Sequence, residues 1–160
     1  MPPFTIAQIS DLHCGSPHFV PTLLERAIAE VNDLEPDVVV VSGDLTNEGF
    51  VQEFETAKEY IDRLACERTI VVPGNHDSRN VGYEHFEELF GRRSAELHQD
   101  GVSIVAIDST EPDLNHGTVG RGRYPWIAER FAQEAYLRVF VLHHHPVSYT
   151  HLTLPTICSV

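Results

Sequence analysis

The chain has 160 residues, of which 42% are hydrophobic and 22% are charged, as is typical of a soluble globular domain. Its 24 Asp and Glu exceed its 11 Lys and Arg, which disfavours a nucleic-acid binder, because such proteins normally present a basic surface. The sequence shows no membrane span, no signal-peptide pattern and no CxxC pair among its three cysteines, so we expect a cytoplasmic protein with free thiols.

The first part of the chain alternates strand-like and helix-like patterns. Residues 4–9 are an apolar run that predicts the first strand. Apolar side chains recur at helical spacing over residues 20–34, and Thr22 and Glu25 are spaced as a capping box for that helix. Residues 37–41 are a β-branched run of the kind that parallel sheets bury on both faces. This order predicts a strand–helix–strand unit.

The same alternation continues along the rest of the chain. Further strands are predicted at residues 69–72, 102–107 and 139–142, and further helices at residues 50–64, 84–90 and 126–135. Repeated strand–helix–strand units are right-handed and build a mainly parallel sheet that is covered by helices. The pattern therefore predicts an α/β fold in one domain.

Side chains that can bind metals follow the predicted strands one after another. The clusters are Asp11-Leu12-His13, Ser42-Gly43-Asp44, Gly74-Asn75-His76-Asp77, Asp108-Ser109 and His143-His144-His145. In open α/β sheets, ligands bind outside the carboxyl ends of the strands. Each cluster alone has an ordinary explanation, since Asp caps helices, Gly-Asp and Gly-Asn pairs form turns, and a single His is commonly structural. Their succession along one sheet edge favours a shared site.

The donors at this edge are oxygen and imidazole nitrogen, without a set of thiolates. Such a mixture suits Mn, Fe or Zn rather than a structural zinc site made of cysteines. We expect Asp11 and His13 to point to one side of an extended segment and to share a metal. Asp44 can bridge two metals, and Asn75 adds a neutral oxygen. Two metals about 3.5–4 Å apart can hold a hydroxide and clamp a phosphoryl group during in-line attack.

His76 is the candidate general acid. It follows Asn75 directly, so it is placed to protonate a leaving alkoxide, and Asp77 is predicted to orient its ring and to favour the imidazolium. The alternative for His76 is a turn residue that only supports the metal ligands.

Together, these motifs resemble the successive signature motifs of the calcineurin-like metallophosphoesterases, over roughly residues 4 to 147. Asp108-Ser109, His116-Gly117 and the His143 cluster resemble the branch that contains bacterial cyclic-nucleotide phosphodiesterases. The resemblance implies the N-terminal part of a β-sandwich flanked by helices, two divalent or trivalent metal ions, and hydrolysis of a small phosphodiester such as a 3',5'-cyclic nucleotide by a metal-bridging hydroxide.

The resemblance also assigns residues to roles. It implies one metal on Asp11, His13 and Asp44, a second on Asp44, Asn75 and His143, His76 as the leaving-group acid, and His116 near the substrate. His144 and His145 become supporting loop residues.

The sequence departs from this family after the His143 cluster. The family pattern continues with a Gly-His-x-His motif that adds one imidazole to each metal, and this chain has none. Residues 148–160 resemble a translated vector tail. We therefore expect residues 1–147 to be a truncated phosphoesterase domain and residues 148–160 to be non-native. We also expect the parent enzyme to be active and this chain to be weakly active or inactive.

Other functions fit parts of the pattern. A phosphomonoesterase or a nucleotide-sugar pyrophosphatase would use the same two metals. A non-catalytic scaffold of the same fold would be expected to have substitutions in the first motifs, which are intact here. A Rossmann-like nucleotide-binding module lacks support, because no G-x-G-x-x-G follows the first strand.

Overall fold

The structure, a computed structural model, describes residues 3–145. This part of the chain contains six strands and four α-helices: β1 Ile6–Ile9, α1 Pro21–Asp33, β2 Val38–Ser42, α2 Val51–Ile61, β3 Thr69–Val72, α3 Gly82–Phe90, β4 Ala95–Gln99, β5 Val102–Ala106, α4 Tyr124–Phe131 and β6 Leu137–Val141. All predicted elements are present, and β3 has the predicted bounds. The predicted tail at 148–160 lies outside the described residues.

The strands form two sheets of three strands each. β1, β2 and β3 are parallel and lie in that order, with Ile6 opposite Val38 and Val39 opposite Thr69. In the second sheet, β5 lies between β4 and β6; it is antiparallel to β4 and parallel to β6. The predicted sandwich with mainly parallel strands is confirmed.

The antiparallel strand β4 was not predicted. Its sequence, AELHQ, lacks the continuous apolar run of the other strands, and its residues are mostly half-buried. Asp100 and Gly101 connect it to β5 with φ values of 51° and 80°. Two residues with positive φ form the tight turn that matches the twist of a hairpin, and Asp-Gly is a favoured pair there. This dipeptide was the available signal for the missing strand.

Alternate residues of β2 serve two different cores. Val38 and Val40 pack between the two sheets, together with Ile104 of β5. Val39 and Val41 face the opposite way and pack against helices α1, α2 and α3. Every residue of β2 is buried, as expected for a central strand with covered faces. This double burial fixes the strand and therefore the loop that follows it.

The start of α1 differs from the prediction. Val20 is the N-cap residue, and no side chain caps this end. Thr22 and Glu25 lie inside the helix, so the predicted capping box is wrong. The start signal is Pro21, whose fixed φ suits the first helical position and whose missing N–H is not needed there. Among residues 3–145, no helix has the length and apolar character needed to cross a lipid bilayer.

Candidate metal centre

The loops after β1 and β2 are joined through their backbones. The Asp11 amide donates to the Gly43 carbonyl at 3.0 Å, and the His13 amide donates to the Asp44 carbonyl at 2.9 Å. The two strands are parallel neighbours, so these loops leave the same sheet edge side by side. The fold thereby places the first two polar clusters in contact.

The segment Asp11–His13 is not extended, which corrects the predicted geometry. Asp11 and His13 have φ values of 58° and 48°, in the left-handed region that non-glycine residues seldom adopt. Their side chains nevertheless converge. Nε2 of His13 lies 3.8 Å from Oδ1 of Asp11 and 3.6 Å from Oδ2 of Asp44. Backbone strain of this kind occurs at functional sites, where the surrounding structure holds it.

Two glycines allow the loops after β2 and β3 to touch. A Cβ at Gly74 would collide with Oδ1 and the backbone nitrogen of Asp44. A Cβ at Gly43, where φ is 95°, would lie 2.6 Å from the Gly74 nitrogen and 2.8 Å from Nδ1 of His143. The close approach needs glycine at both positions, and it brings Asp44 against the loop that carries Asn75.

His143 joins the site from the second sheet. It follows β6, and its Nδ1 lies 2.9 Å from the Ser42 carbonyl, to which it can donate. Its Nε2 therefore faces the site, 3.1 Å from Oδ1 of Asn75 and 3.4 Å from Oδ1 of Asp44. Histidine ligands usually donate one ring N–H to a neighbouring acceptor, which leaves the other ring nitrogen free to bind the metal.

The other four predicted ligands, Asp11, His13, Asn75 and His143, thus lie around Asp44. Side-chain atoms of His13, Asp44 and His76 that could bind a metal lie within 4.8 Å of one another, as do those of Asp11, Asp44 and His143. These groups differ from the division that the resemblance implies, because they include His76 and place Asp11 with His143. Asp44 belongs to both groups, and its side chain is only 6% exposed. Carboxylate oxygen, amide oxygen and imidazole nitrogen at this spacing fit the first-row metals expected from the sequence.

The structure corrects the predicted role of Asp77. This carboxylate is fully buried and accepts hydrogen bonds from the amides of Leu45, Thr46 and Gly74 and from the Thr46 hydroxyl, at 2.8–3.1 Å. It ties the loops after β2 and β3 together. The group that orients His76 is instead the carbonyl of Asn47, 2.6 Å from Nδ1 of the ring.

Arg79 is a site residue that was not predicted. Its guanidinium donates to the Asn47 carbonyl at 3.1 Å and lies 3.1 Å from Nε2 of His76. It also contacts the carboxylate of Glu48 and the amide oxygen of Asn115. The available signal was a basic residue three positions after His76 in a strongly acidic chain.

His116 lies on an exposed loop at the rim of the site. Its neighbour Asn115 accepts a hydrogen bond from the side-chain amide of Asn75 at 3.4 Å. Asp113 holds the loop in place by accepting from the Asn80 amide at 2.7 Å. The structure therefore places His116 near the ligands without a direct contact to them. His144 contacts the Ser109 hydroxyl at 2.8 Å, which fits its predicted supporting role.

Asp44 and His143, two of the predicted ligands, shift each other's pKa. Burial lowers the pKa of His143, but the hydrogen bond and charge of Asp44 outweigh it and raise this pKa to about 9. Burial raises the pKa of Asp44, but the hydrogen bond and charge of His143 and the His76 amide outweigh it and hold this pKa below its usual value. Without a cation, the pair is an imidazolium beside a carboxylate.

This pairing predicts that metal uptake depends on pH. A cation needs the neutral imidazole of His143, so it must displace a proton at any pH below about 9. We expect the affinity for Zn²⁺ to rise about tenfold per pH unit between pH 6.5 and 8.5, with release of about one proton. Calorimetry in buffers of different ionisation enthalpy measures both quantities. A pH-independent affinity in the same range would contradict this assignment.

Comparisons with known proteins agree with the geometry. The family model described as calcineurin-like phosphoesterase matches residues 4–157. A Synechococcus protein named "probable cyclic nucleotide phosphodiesterase" is 30% identical over 89% of this chain and 58% of its own length. An Arcobacter nitrofigilis protein named "probable glycerophosphodiester phosphodiesterase" is 26% identical over 88% and 56%. A Mycobacterium tuberculosis protein named "cAMP/cGMP dual specificity phosphodiesterase" is 28% identical over 71% and 37%. The chain therefore spans little more than half the length of the first two relatives and about a third of the length of the last.

Proposed function

Because the chain belongs to the calcineurin-like phosphoesterase family, we propose that it supplies the metal-binding part of a hydrolase that cleaves phosphodiester bonds in a small substrate. The observation that carries this proposal is the convergence of four donor side chains, from three loops, around the carboxylate of Asp44. A 3',5'-cyclic nucleotide is the proposed substrate, in line with the names of two relatives.

The proposed ligands divide between two cations. We assign Asp11, His13 and Asp44 to one, and Asp44, Asn75 and His143 to the other, with Mn, Fe or Zn as the metals. Bound cations would supply Lewis-acid charge and a nucleophile at neutral pH. The neutral oxygen of Asn75 limits the negative charge that an anionic phosphate must approach.

His76 is proposed to protonate the leaving alkoxide. The Asn47 carbonyl accepts from Nδ1, so Nε2 is the nitrogen available to the substrate. Arg79 lies 3.1 Å from this Nε2, and a guanidinium can only donate, so the contact uses the Nε2 lone pair. Acid catalysis therefore requires Arg79 to leave Nε2, so that this nitrogen can carry the proton that the leaving alkoxide takes. The T-shaped contact between the His13 and His76 rings, with centroids 4.6 Å apart, keeps the acid next to a ligand.

The full chain tests this function. We expect it to hydrolyse bis(p-nitrophenyl) phosphate weakly when Mn²⁺ is added, because the Gly-His-x-His motif is missing, to lose this activity in EDTA and to regain it on return of Mn²⁺. Asn75→Ala should weaken the stimulation by Mn²⁺. Asn32→Ala is the control and should leave the stimulation unchanged, because the Asn32 side chain bonds the backbone of residues 63 and 65. Turnover that EDTA leaves unchanged would contradict the proposal, and so would a chain that takes up no metal.

A further inference from the structure

A cleft runs from the metal centre along the side of α1. Its volume is about 620 Å³, within the range of roughly 300–1,000 Å³ that is usual for small-molecule sites. Asp11, His13 and Asn47 line one end. Phe19, Val20, Leu23, Leu24 and Ala27 line the other. A ligand held at the metals can therefore extend directly into the cleft.

The two ends suit different chemistry. The near end carries Asp11 and His13, two of the proposed metal ligands, so it is where a phosphate binds under the proposed function. The far end is mostly apolar, although Ser16 and His18 also line the cleft, and no Lys or Arg lines any part of it. Leu23 is 64% exposed and Val20 is 47% exposed, so both leave apolar surface for a ligand to cover. The group that fills the far end is therefore neutral and largely apolar.

Phe19 favours a ring as that group. Its side chain is half-buried and meets the ring of Tyr60 edge-on, with centroids 5.9 Å apart. It also packs against the core beneath α1 and α2. A ring fixed in this way offers a rigid aromatic surface, and aromatic pairs gain more than area burial alone.

We propose that the cleft binds a neutral aryl or heteroaryl ring carried by one ester group of the phosphodiester. The proposal rests on the proposed function, because the phosphate must lie at Asp11 and His13. It restricts the substrate class to diesters whose alcohol bears a ring.

The first experiment compares two phosphonates. Phenylphosphonate and methylphosphonate both offer a charged phosphonate, but only the first offers a ring. For the Zn-loaded chain, we expect calorimetry to show about tenfold tighter binding of phenylphosphonate, because the ring is removed from water. Leu23→Ala and Phe19→Leu should reduce this preference to about threefold or less. Leu34→Ala is the matched control, since Leu34 is also 64% exposed but lies outside the cleft lining, and it should keep the preference.

The second experiment does not need a metal. Benzyl alcohol is titrated into the metal-free chain while the methyl NMR signals are followed. The signals of Val20 and Leu23 should shift and saturate, and those of Leu34 should stay. If benzyl alcohol shifts neither the Val20 nor the Leu23 methyl signals, the proposal is overturned, regardless of the phosphonate affinities. If the cleft responds but neither phosphonate binds the Zn-loaded chain, the proposed function fails and the ring site stands.

Discussion

Asp44→Asn is expected to abolish the uptake of both cations and to lower phosphodiester hydrolysis by about 10³-fold or more. Asp44 is the one carboxylate common to the two ligand groups, and it lies within 3.6 Å of both His13 and His143. An amide has one oxygen and no charge, so it cannot bridge two cations. Metal content by mass spectrometry and the rate with bis(p-nitrophenyl) phosphate measure the two effects.

The choice of Asn separates ligand loss from backbone strain. Asp44 has a φ of 54°, a conformation that Asn tolerates better than Ala. Asp11→Asn should be milder, because Asp11 belongs to one group and its side chain is 58% exposed. Asp62→Asn, in an exposed pair with Lys58, should leave metal content unchanged. If the Asp44 variant retained two cations, Asp44 would not be the bridging ligand.

The approximate positions of the site residues could be predicted because of how parallel sheets are built. The run Val38–Ser42 is buried throughout, and such a run is recognisable in a sequence. Once β1, β2 and β3 are recognised as parallel strands, the loops that carry Asp11, Asp44 and Asn75 must lie at one edge. The ligands follow from that edge and from the chemistry of oxygen and nitrogen donors.

The contacts inside the site could not be predicted in the same way, because they join residues far apart in sequence. Asp77 follows His76 directly, and adjacency favoured a contact between them. The chain turns at residues 76–78 in a short 3-10 helix, so the Asp77 carboxylate points into the protein. Asn47, 29 positions away, supplies the carbonyl that holds His76. Long-range hydrogen bonds of this kind leave no local pattern in the sequence.

Because its carboxylate accepts buried hydrogen bonds instead of orienting His76, Asp77 is expected to stabilise the fold. Asp77→Ala should lower the free energy of unfolding by about 3 kcal/mol. The substitution leaves three buried amides and the Thr46 hydroxyl without their acceptor. Burial raises the pKa of Asp77 to about 6 despite these four donors, so the carboxylate is ionised at pH 8, where the measurement is made. Asp77→Asn should fall between wild type and Ala, because one oxygen still accepts and the buried charge is relieved.

Denaturant unfolding and thermal melts test this stability effect. A loss of about 3 kcal/mol corresponds to a fall in Tm of roughly 10 °C for a chain of this size. Asp37→Ala is the control, since this carboxylate accepts an exposed backbone hydrogen bond from Thr5, and its cost should stay below about 1 kcal/mol. If the two Ala variants were equally stable, the loops after β2 and β3 would hold together without Asp77. Because those loops carry Asp44 and Asn75, the Asp77 variant should also bind metal more weakly while keeping every ligand.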